Sequence, residues 1–431
     1  MNMPSASREL LIVGAGPAGM AAALAAAPSG ARITLLDDNP APGGQIWRDG
    51  PGAHLPPQAL RMREALARCA NVRVLCGTRV VSLAGAGALL LEDATHGWVQ
   101  RYDKLILCTG ARELLLPFPG WTLPGVTGAG GLQALIKAGM PVAGERIVIA
   151  GSGPLLLVAA ATARQAGAKV LRIAEQAGFT AVAGFAAQLP RWPGKATQAL
   201  GLASTRYRTG THIVCVQGAG RVESVRLQHA GRETDIACDR VACGFGLVPN
   251  TELGRLLGCA LTAADGNPQA LAVNALQETS MAGVYAAGEC TGIGGSERAL
   301  AQGRIAGFAA VNDKAAAQRH NADRAHWHAF AAELQKRFTL APSLKTLARA
   351  DTLVCRCEDV PRAALSGCSG WTEAKLHTRC GMGACQGRVC GAAAQFLFGW
   401  TPPAPRPPLS PARIATLACA GDAAATPEPG A

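Results

Sequence analysis

A chain of 431 residues, 49% hydrophobic and 16% charged, has room for two or three domains that each bury a core. The formal charge of +12 invites a nucleic-acid role, yet the arginines are scattered, no five basic residues run together, and aromatics for base stacking are only 4%. No run of eighteen apolar residues is free of charges and glycine turns, which speaks against a transmembrane segment.

The start MNMPSASREL has no basic region followed by an apolar core, so no export signal is expected. Fifteen cysteines then imply a reducing, cytoplasmic setting, in which thiols are metal ligands or buried apolar groups more often than disulfides. The positive charge still suits an acidic partner or the inner face of a membrane.

Leu10–Val13 is a short apolar strand leading into Gly14-Ala15-Gly16-Pro17-Ala18-Gly19 and then the helix former MAAALAAA. The first two glycines allow a tight turn and close backbone approach to a pyrophosphate, and the third allows helix and strand to pack. The strand ARITLLDD follows, placing Asp37 twenty-three residues after Gly14, with Asp38 beside it, where a carboxylate can hold ribose hydroxyls. Strand, glycines, helix, strand and acid in this order predict a dinucleotide cradle.

Three later segments specify the nucleotide. APGGQIWR (41–48), with Gly44 and Gln45, resembles the loop that two-dinucleotide-domain flavoproteins wrap around FAD. LILCTGARE (105–113) is a strand closed by Thr109-Gly110, and GVYAAGECTGIGGSERALAQGRIAG (283–307) is a strand, Gly288-Glu289 and a glycine-rich helix entry. The last is similar to the second flavin motif of those proteins, where an acid holds the ribityl chain; Glu289 is one methylene longer than the usual Asp. FAD is the expected cofactor.

ERIVIAGSGPLLLVAAATARQAGAKVLRIAEQA (145–177) repeats the pattern, with Gly151 and Gly153 opening it and Glu175 twenty-four residues past Gly151. The third glycine position is Leu156, whose bulk presses on the strand or the ligand. Glu175 would repel a 2′-phosphate, which disfavours NADPH and leaves NADH, another adenine nucleotide, or an empty fold. Cys238 and Cys243 have the spacing of a flavin-linked disulfide, but ACDRVAC reads as a strand. Five residues of strand span roughly 16 Å, against the 7 Å or so that a disulfide allows. These two are expected in the core.

Residues 313–350 read as helix and linker. Then come Cys355-Arg356-Cys357 and, twenty-eight residues on, Cys385 followed by Cys390. Two close pairs of thiolates suit zinc or an iron–sulfur cluster, though a CxC with a CxxxxC fits zinc poorly. Arg356, Lys375, His377, Arg379 and Arg388 surround them, and such cations stabilise an anionic [2Fe–2S] centre.

CRCEDV with KLHTRCGMGACQGRVC resembles the bacterioferritin-associated-ferredoxin-type [2Fe–2S] domain. Together with the FAD motif, LPFPGWTLPGVTGAGGLQALIK (115–137), the altered GSGPLLL and GECTGIGG, it makes nearly the whole chain similar to a family. That family is the flavin-containing alpha (A) subunits of opine oxidase, hydrogen cyanide synthase and D-hydroxyproline dehydrogenase.

The resemblance implies an α/β flavoprotein of two glutathione-reductase-like Rossmann folds with a small, mainly helical [2Fe–2S] domain. The expected order is FAD domain 1–118, inserted nucleotide domain 119–249, FAD domain 250–318, helical linker 319–350, cluster domain 351–400 and proline-rich tail 401–431. The cluster ligands implied are Cys355, Cys357, Cys385 and Cys390, with Cys380 a bystander or spare ligand. The tail is expected along the surface, with its last dozen residues disordered.

Relatives of this kind leave amine oxidation to a separate FAD-dependent beta subunit, and the complex can include a small further iron–sulfur subunit. Electrons then pass to a downstream acceptor; some relatives hold FMN at a subunit interface and ATP in the second domain. No His–Arg–Tyr group to seat an amino-acid carboxylate is evident among only three tyrosines. A self-contained NADH-dependent reductase and a non-catalytic scaffold are the other readings of the same motifs.

Overall fold

The computed structural model describes residues 9–262, 269–401 and 404–425, the last five of these by backbone alone. Its first unit is a five-stranded parallel sheet in the order Val284–Ala286, Lys104–Leu107, Glu9–Val13, Arg32–Leu36, Val72–Leu75. The chain leaves Glu9–Val13 toward one neighbour and returns on its other side, so a crevice opens at that strand's carboxyl end. Gly14 stands there with φ 102°, and a Cβ at this position would run into the Cys108 carbonyl oxygen. Only glycine makes this turn.

The helix Pro17–Ala26 starts on a proline, which needs no hydrogen bond there, and runs through alanines almost wholly buried. Gly303 and Gly307 of the long helix Gly295–Ala310 face it, and Cβ atoms there would collide with the carbonyls of Ala18 and Ala22. Small residues on both helices let their backbones approach. On the far side, Leu89 and Leu91 of the antiparallel sheet Arg79–Leu83, Ala88–Glu92, Gly97–Arg101 pack with Leu11, Leu105 and Leu107.

The second unit has parallel strands in the order Tyr207–Arg208, Lys169–Glu175, Arg146–Gly151, Arg240–Gly244, Val126–Gly128. An antiparallel sheet Thr211–Gln217, Ser224–His229, Arg232–Ala237 flanks it. ACDRVAC is not one strand: Arg232–Ala237 ends, the chain bends at Cys238 and Asp239, and Arg240–Gly244 begins. Cys238 and Cys243 are nonetheless free and buried, and burial pushes the Cys238 thiol up to about 11.

The two units are joined by the antiparallel pair Ala111–Glu113 and Leu247–Pro249. The Glu113 carboxylate accepts from the Gly130 and Gly131 N–H groups, at 2.6 and 2.8 Å, at the start of helix Ala129–Lys137. Helix Asn321–Arg337 leads on to a compact segment in which Leu353–Cys355 pairs with Val360–Pro361 and helices Trp371–Thr378 and Cys390–Phe398 enclose Val354, Leu365 and Ala394.

The tail then returns to the first unit. Leu409 is buried beside Leu11 and Val13, its N–H donating to the Val81 carbonyl at 2.7 Å. Helix Ile414–Ala425 lies on the strand Gly97–Arg101, where the missing Cβ of Gly97 makes room for Thr416. Disorder from Ala420 onward is therefore corrected as far as Ala425, because this face of the sheet nucleates a helix; residues 426–431 lie outside the described ones. Among the described residues no helix is long and apolar enough to cross a membrane.

Candidate functional site

At the first cradle, Asp37 is buried and its Oδ2 accepts from the Ala15 N–H at 2.6 Å, while Oδ1 accepts from the Asn39 N–H and side-chain amide. The strand thus delivers a carboxylate that fixes the turn Gly14–Gly16, with Asp38 exposed next to it. The loop carrying Gly44 and Gln45 lies over that turn: the Gly43 N–H donates to the Ala15 carbonyl at 2.8 Å, and buried Trp47 anchors it. Arg63 secures the same loop through the Pro42 and Trp47 carbonyls.

A Cβ on Gly16 would meet nothing nearer than the Gly44 Cα at 3.8 Å, so the bare backbone here faces open space. A Cβ on Gly19, by contrast, would run into the Gly14 carbonyl oxygen. Pro17 and Ala18 place the helix N-terminus at that space. Thr109 and Gly110 close the crevice on the next strand, where Thr109 Oγ1 donates to the Asn250 carbonyl at 2.6 Å and the Asn250 amide returns a bond to Thr109 O at 2.9 Å.

The Gly288 N–H donates to Gln302 Oε1 at 3.0 Å, and a Cβ on Gly288 would lie 2.9 Å from that of Ala18, which ties the second motif to the first helix. Burial raises the Glu289 carboxyl pKa, opposed by the Gly295 N–H and the nearby Arg298 guanidinium. Turn, helix N-terminus, buried acid and covering loop fit an adenine dinucleotide, so this donor set fits FAD.

The second cradle copies the plan and is covered. Leu156 is fully buried against Ala129, Ile147 and Ile149, and its Cδ2 would stand 3.0 Å from a Cβ on Gly244, so it presses on the strand. Glu175 is fully buried: its oxygens accept from the Gly153 N–H at 2.7 Å and the Ala177 N–H at 2.8 Å, and Tyr207 donates at 3.3 Å. Burial raises its pKa against those hydrogen bonds.

Above the Gly151–Gly153 turn runs the chain itself. Ser152 Oγ donates to the Phe338 carbonyl at 3.1 Å; Gln176 donates to Ser152 Oγ and the Thr339 carbonyl and accepts from the Ala341 N–H. The Phe338 ring meets Phe185 edge-on at 5.3 Å and lies over Gly153. Sequence reasoning missed this cover, because nothing in residues 338–341 announces where they pack.

The C-terminal thiols converge. The sulfurs of Cys355, Cys380 and Cys390, all buried, lie within 4.8 Å of one another. Cys355, Cys390, Cys357 and Cys385 line one cleft of about 340 Å³ with Arg356 and Val389. Hydrogen bonds from the Cys390 and Cys355 thiols, with Lys375 nearby, hold the Cys380 thiol below its ordinary range despite burial; Cys390 is pushed well up.

Cys380 therefore stands inside the thiol set, among the residues expected to ligate. The expected cationic collar is partly neutralised: Arg379 pairs with Glu358 at 2.8 Å, and Arg356 lies over the Trp121 ring at 5.2 Å. Four cysteines lining one cleft, with Cys380 behind two of them and Arg356 beside them, fit a four-thiolate cluster.

Residues 8–312 match the pyridine nucleotide-disulphide oxidoreductase family. The opine oxidase A subunit of Rhizobium meliloti is 32% identical over 424 residues, covering 91% of this chain and 92% of the relative. The chain belongs to the group that opine oxidase A subunits and HcnB form within this family. Hydrogen cyanide synthase subunit HcnB of Pseudomonas aeruginosa is 33% identical over 88% of this chain and 90% of its own.

In fold, the chain superposes on L-proline dehydrogenase from P. horikoshii with a TM-score of 0.64 at 17% identity, over 97% of this chain and 81% of that one. Thioredoxin reductase of Lactococcus lactis follows at 0.53 and 20% identity, over 72% and 99%. The protein is an oxidoreductase with the Rossmann flavoprotein fold, and the relatives' names make them subunits of larger enzymes.

Proposed function

We propose that this chain is the FAD- and [2Fe–2S]-containing electron-transfer subunit of a heteromeric amine or amino-acid dehydrogenase, of opine, D-hydroxyproline, proline or glycine type. The observation that carries the reading is the cleft lined by four cysteines, with Cys380 packed against two of them, in a domain docked on a flavin-type fold, in a relative of the opine oxidase A subunit. FAD would be held by Gly14, Gly16, Asp37, Thr109 and Glu289, and the cluster by Cys355, Cys357, Cys385 and Cys390. Flavin accepts electrons in pairs and a [2Fe–2S] centre passes them singly, which is the chemistry these groups supply when bound.

What the chain's own residues do is hold and insulate. The loop 41–48 covers the cradle, Asp37 fixes the pyrophosphate turn, and the half-buried Glu289 offers an acceptor against the helix Gly295–Ala310. The cover over Gly151–Gly153 argues against the self-contained NADH reductase, since a dinucleotide would have to displace Phe338–Ala341. Amine oxidation is assigned to an FAD-dependent beta subunit, with electrons leaving through the cluster.

Two measurements test this. Anaerobic spectroscopy of the lone chain should show flavin that stays oxidised with opines, hydroxyproline, proline or glycine, and bleaches only when an amine-oxidase-like beta subunit is co-expressed and co-purifies. Bleaching without a partner would place the catalytic site in this chain. Iron and acid-labile sulfide analysis should find a cluster that Cys385→Ser loses and Cys380→Ser keeps; stoichiometric zinc without iron would sink the assignment.

A further inference from the structure

The interdomain segment 109–121 touches both halves of the cysteine set, and each contact is made by a side chain that no motif requires. On the strand Ala111–Glu113, Arg112 spreads its guanidinium three ways. Nε donates to the backbone carbonyl of Arg388 at 3.0 Å, Nη1 donates to Asn250 Oδ1 at 2.8 Å, and Nη1 pairs with Glu252 at 2.8 Å. Arg388 lies between Cys385 and Cys390, and Asn250 is the residue that brackets Thr109 at the flavin crevice. One side chain thus joins the crevice wall to the loop between two thiols.

Trp121 holds the other half from the core of the second unit. Its Nε1–H donates to the Leu353 carbonyl at 2.7 Å, and Arg356, between Cys355 and Cys357, stacks over its ring. The indole is buried, so the contact is a fixed one. A third tie closes the set: the Arg388 guanidinium donates to the Leu409 carbonyl in the returning tail and to Cys385 O at 3.4 Å.

We propose that Arg112 and Trp121 are positioning residues that seat the two cysteine loops, Arg112 from the strand that joins the two units and Trp121 from the core of the second unit, fixing the thiol cleft relative to the crevice at Thr109–Gly110. What the cleft holds rests on the cluster reading, whereas the seat itself stands on the hydrogen bonds. The fork matters: three acceptors in different directions suit a planar guanidinium and not a single ammonium, so Arg112→Lys should behave like Arg112→Ala.

The test uses the full-length chain with its bound groups. Arg112→Ala, Arg112→Lys and Trp121→Phe, the last keeping an aromatic ring for Arg356 while losing the N–H together with part of the indole's bulk, are compared with the unaltered protein. Expected are unchanged iron, sulfide and flavin contents, a shifted or broadened electron paramagnetic resonance spectrum of the dithionite-reduced protein, and hydrogen exchange at the 385–391 amides (Arg112 variants) and 353–357 amides (Trp121→Phe) about tenfold faster. Unchanged exchange and unchanged spectra in Arg112→Ala and Trp121→Phe would overturn the seat. Should Arg112→Ala fail to fold, Trp121→Phe decides. Absence of iron from the unaltered protein would overturn the cluster reading alone, and exchange would still decide the seat.

Discussion

The two cradles of this chain share a plan and differ in what occupies them. Each has a strand, a glycine turn, a proline, an alanine-rich helix and an acid on the next strand, and in each the acid binds a backbone N–H of the turn. In the first, a glycine at the third motif position lets the helix pack on the turn, and Gly16 faces open space under a separate loop. In the second, Leu156 fills the seam, Glu175 binds the Gly153 N–H, and Phe338–Ala341 lies across the mouth. The second unit also carries the linker and, through Trp121, the thiol domain.

Substitutions at matched places would break or sharpen that contrast. The largest effect on bound flavin is expected at Gly16→Ala. The backbone there has φ −71°, and the added Cβ meets only the Gly44 Cα at ordinary contact distance, so the fold should survive while the pyrophosphate site is filled. Flavin should be lost at least about tenfold, more than 1.4 kcal/mol of binding, with the melting temperature of flavin-free protein unchanged. Retention of full flavin would mean the first cradle is not the pyrophosphate site.

At the second cradle the matching experiment concerns stability. Glu175→Ala strips the acceptor from two buried N–H groups, which costs about 2–4 kcal/mol at the usual penalty per orphaned group. Flavin content should not change. Equally, NADH and NADPH should bleach the flavin of the unaltered protein more slowly than a catalytic turnover; fast bleaching by either in stopped flow would reopen the second cradle.

The cover itself should be worth less. Gln176→Ala removes bonds to Ser152, Thr339 and Ala341, about 1–2 kcal/mol in a partly exposed network. Limited proteolysis near residue 340 should become faster. If it does not, the strap is held by the Phe338 ring packing rather than by the hydrogen bonds.

Most of the architecture is legible in the sequence because local rules and tertiary structure agree there. Gly14 needs a left-handed turn, alanines and Gly303 need close helix packing, and Leu156 signals an altered seam by its bulk alone. The cysteine loops are recognisable because thiols among glycines and arginines have few other uses. What escaped depends on long-range docking. Phe338 and Gln176 are ordinary residues until helix Asn321–Arg337 brings them together, and the strand break at Cys238 follows from a hairpin pairing with residues 224–229. Cys380 could have been suspected only from the tightness of TRCGMGAC, since its contact with Cys355 requires the fold.

The smallest effect separates the buried acid of the second cradle from a ligand-binding one through its pH response. Burial raises the Glu175 pKa in the folded chain above the ordinary carboxyl value of 4.5, so folding favours the protonated form. The sign follows from proton binding: between the ordinary and the raised value the folded state holds more proton than the unfolded state, so stability falls as pH rises through that window. Glu175→Gln cannot ionise and escapes this loss. It should melt below the unaltered protein at pH 4.5, having exchanged one acceptor oxygen for an amide, and the gap should narrow as pH is raised to 8. Thermal midpoints of both proteins across that range, read by far-ultraviolet circular dichroism with flavin content held equal, give the comparison. A gap that widens with rising pH would mean that Glu175 is more strongly held as the anion, and hence that the Gly153 and Ala177 N–H groups outweigh its burial, leaving a charged carboxylate at the second turn.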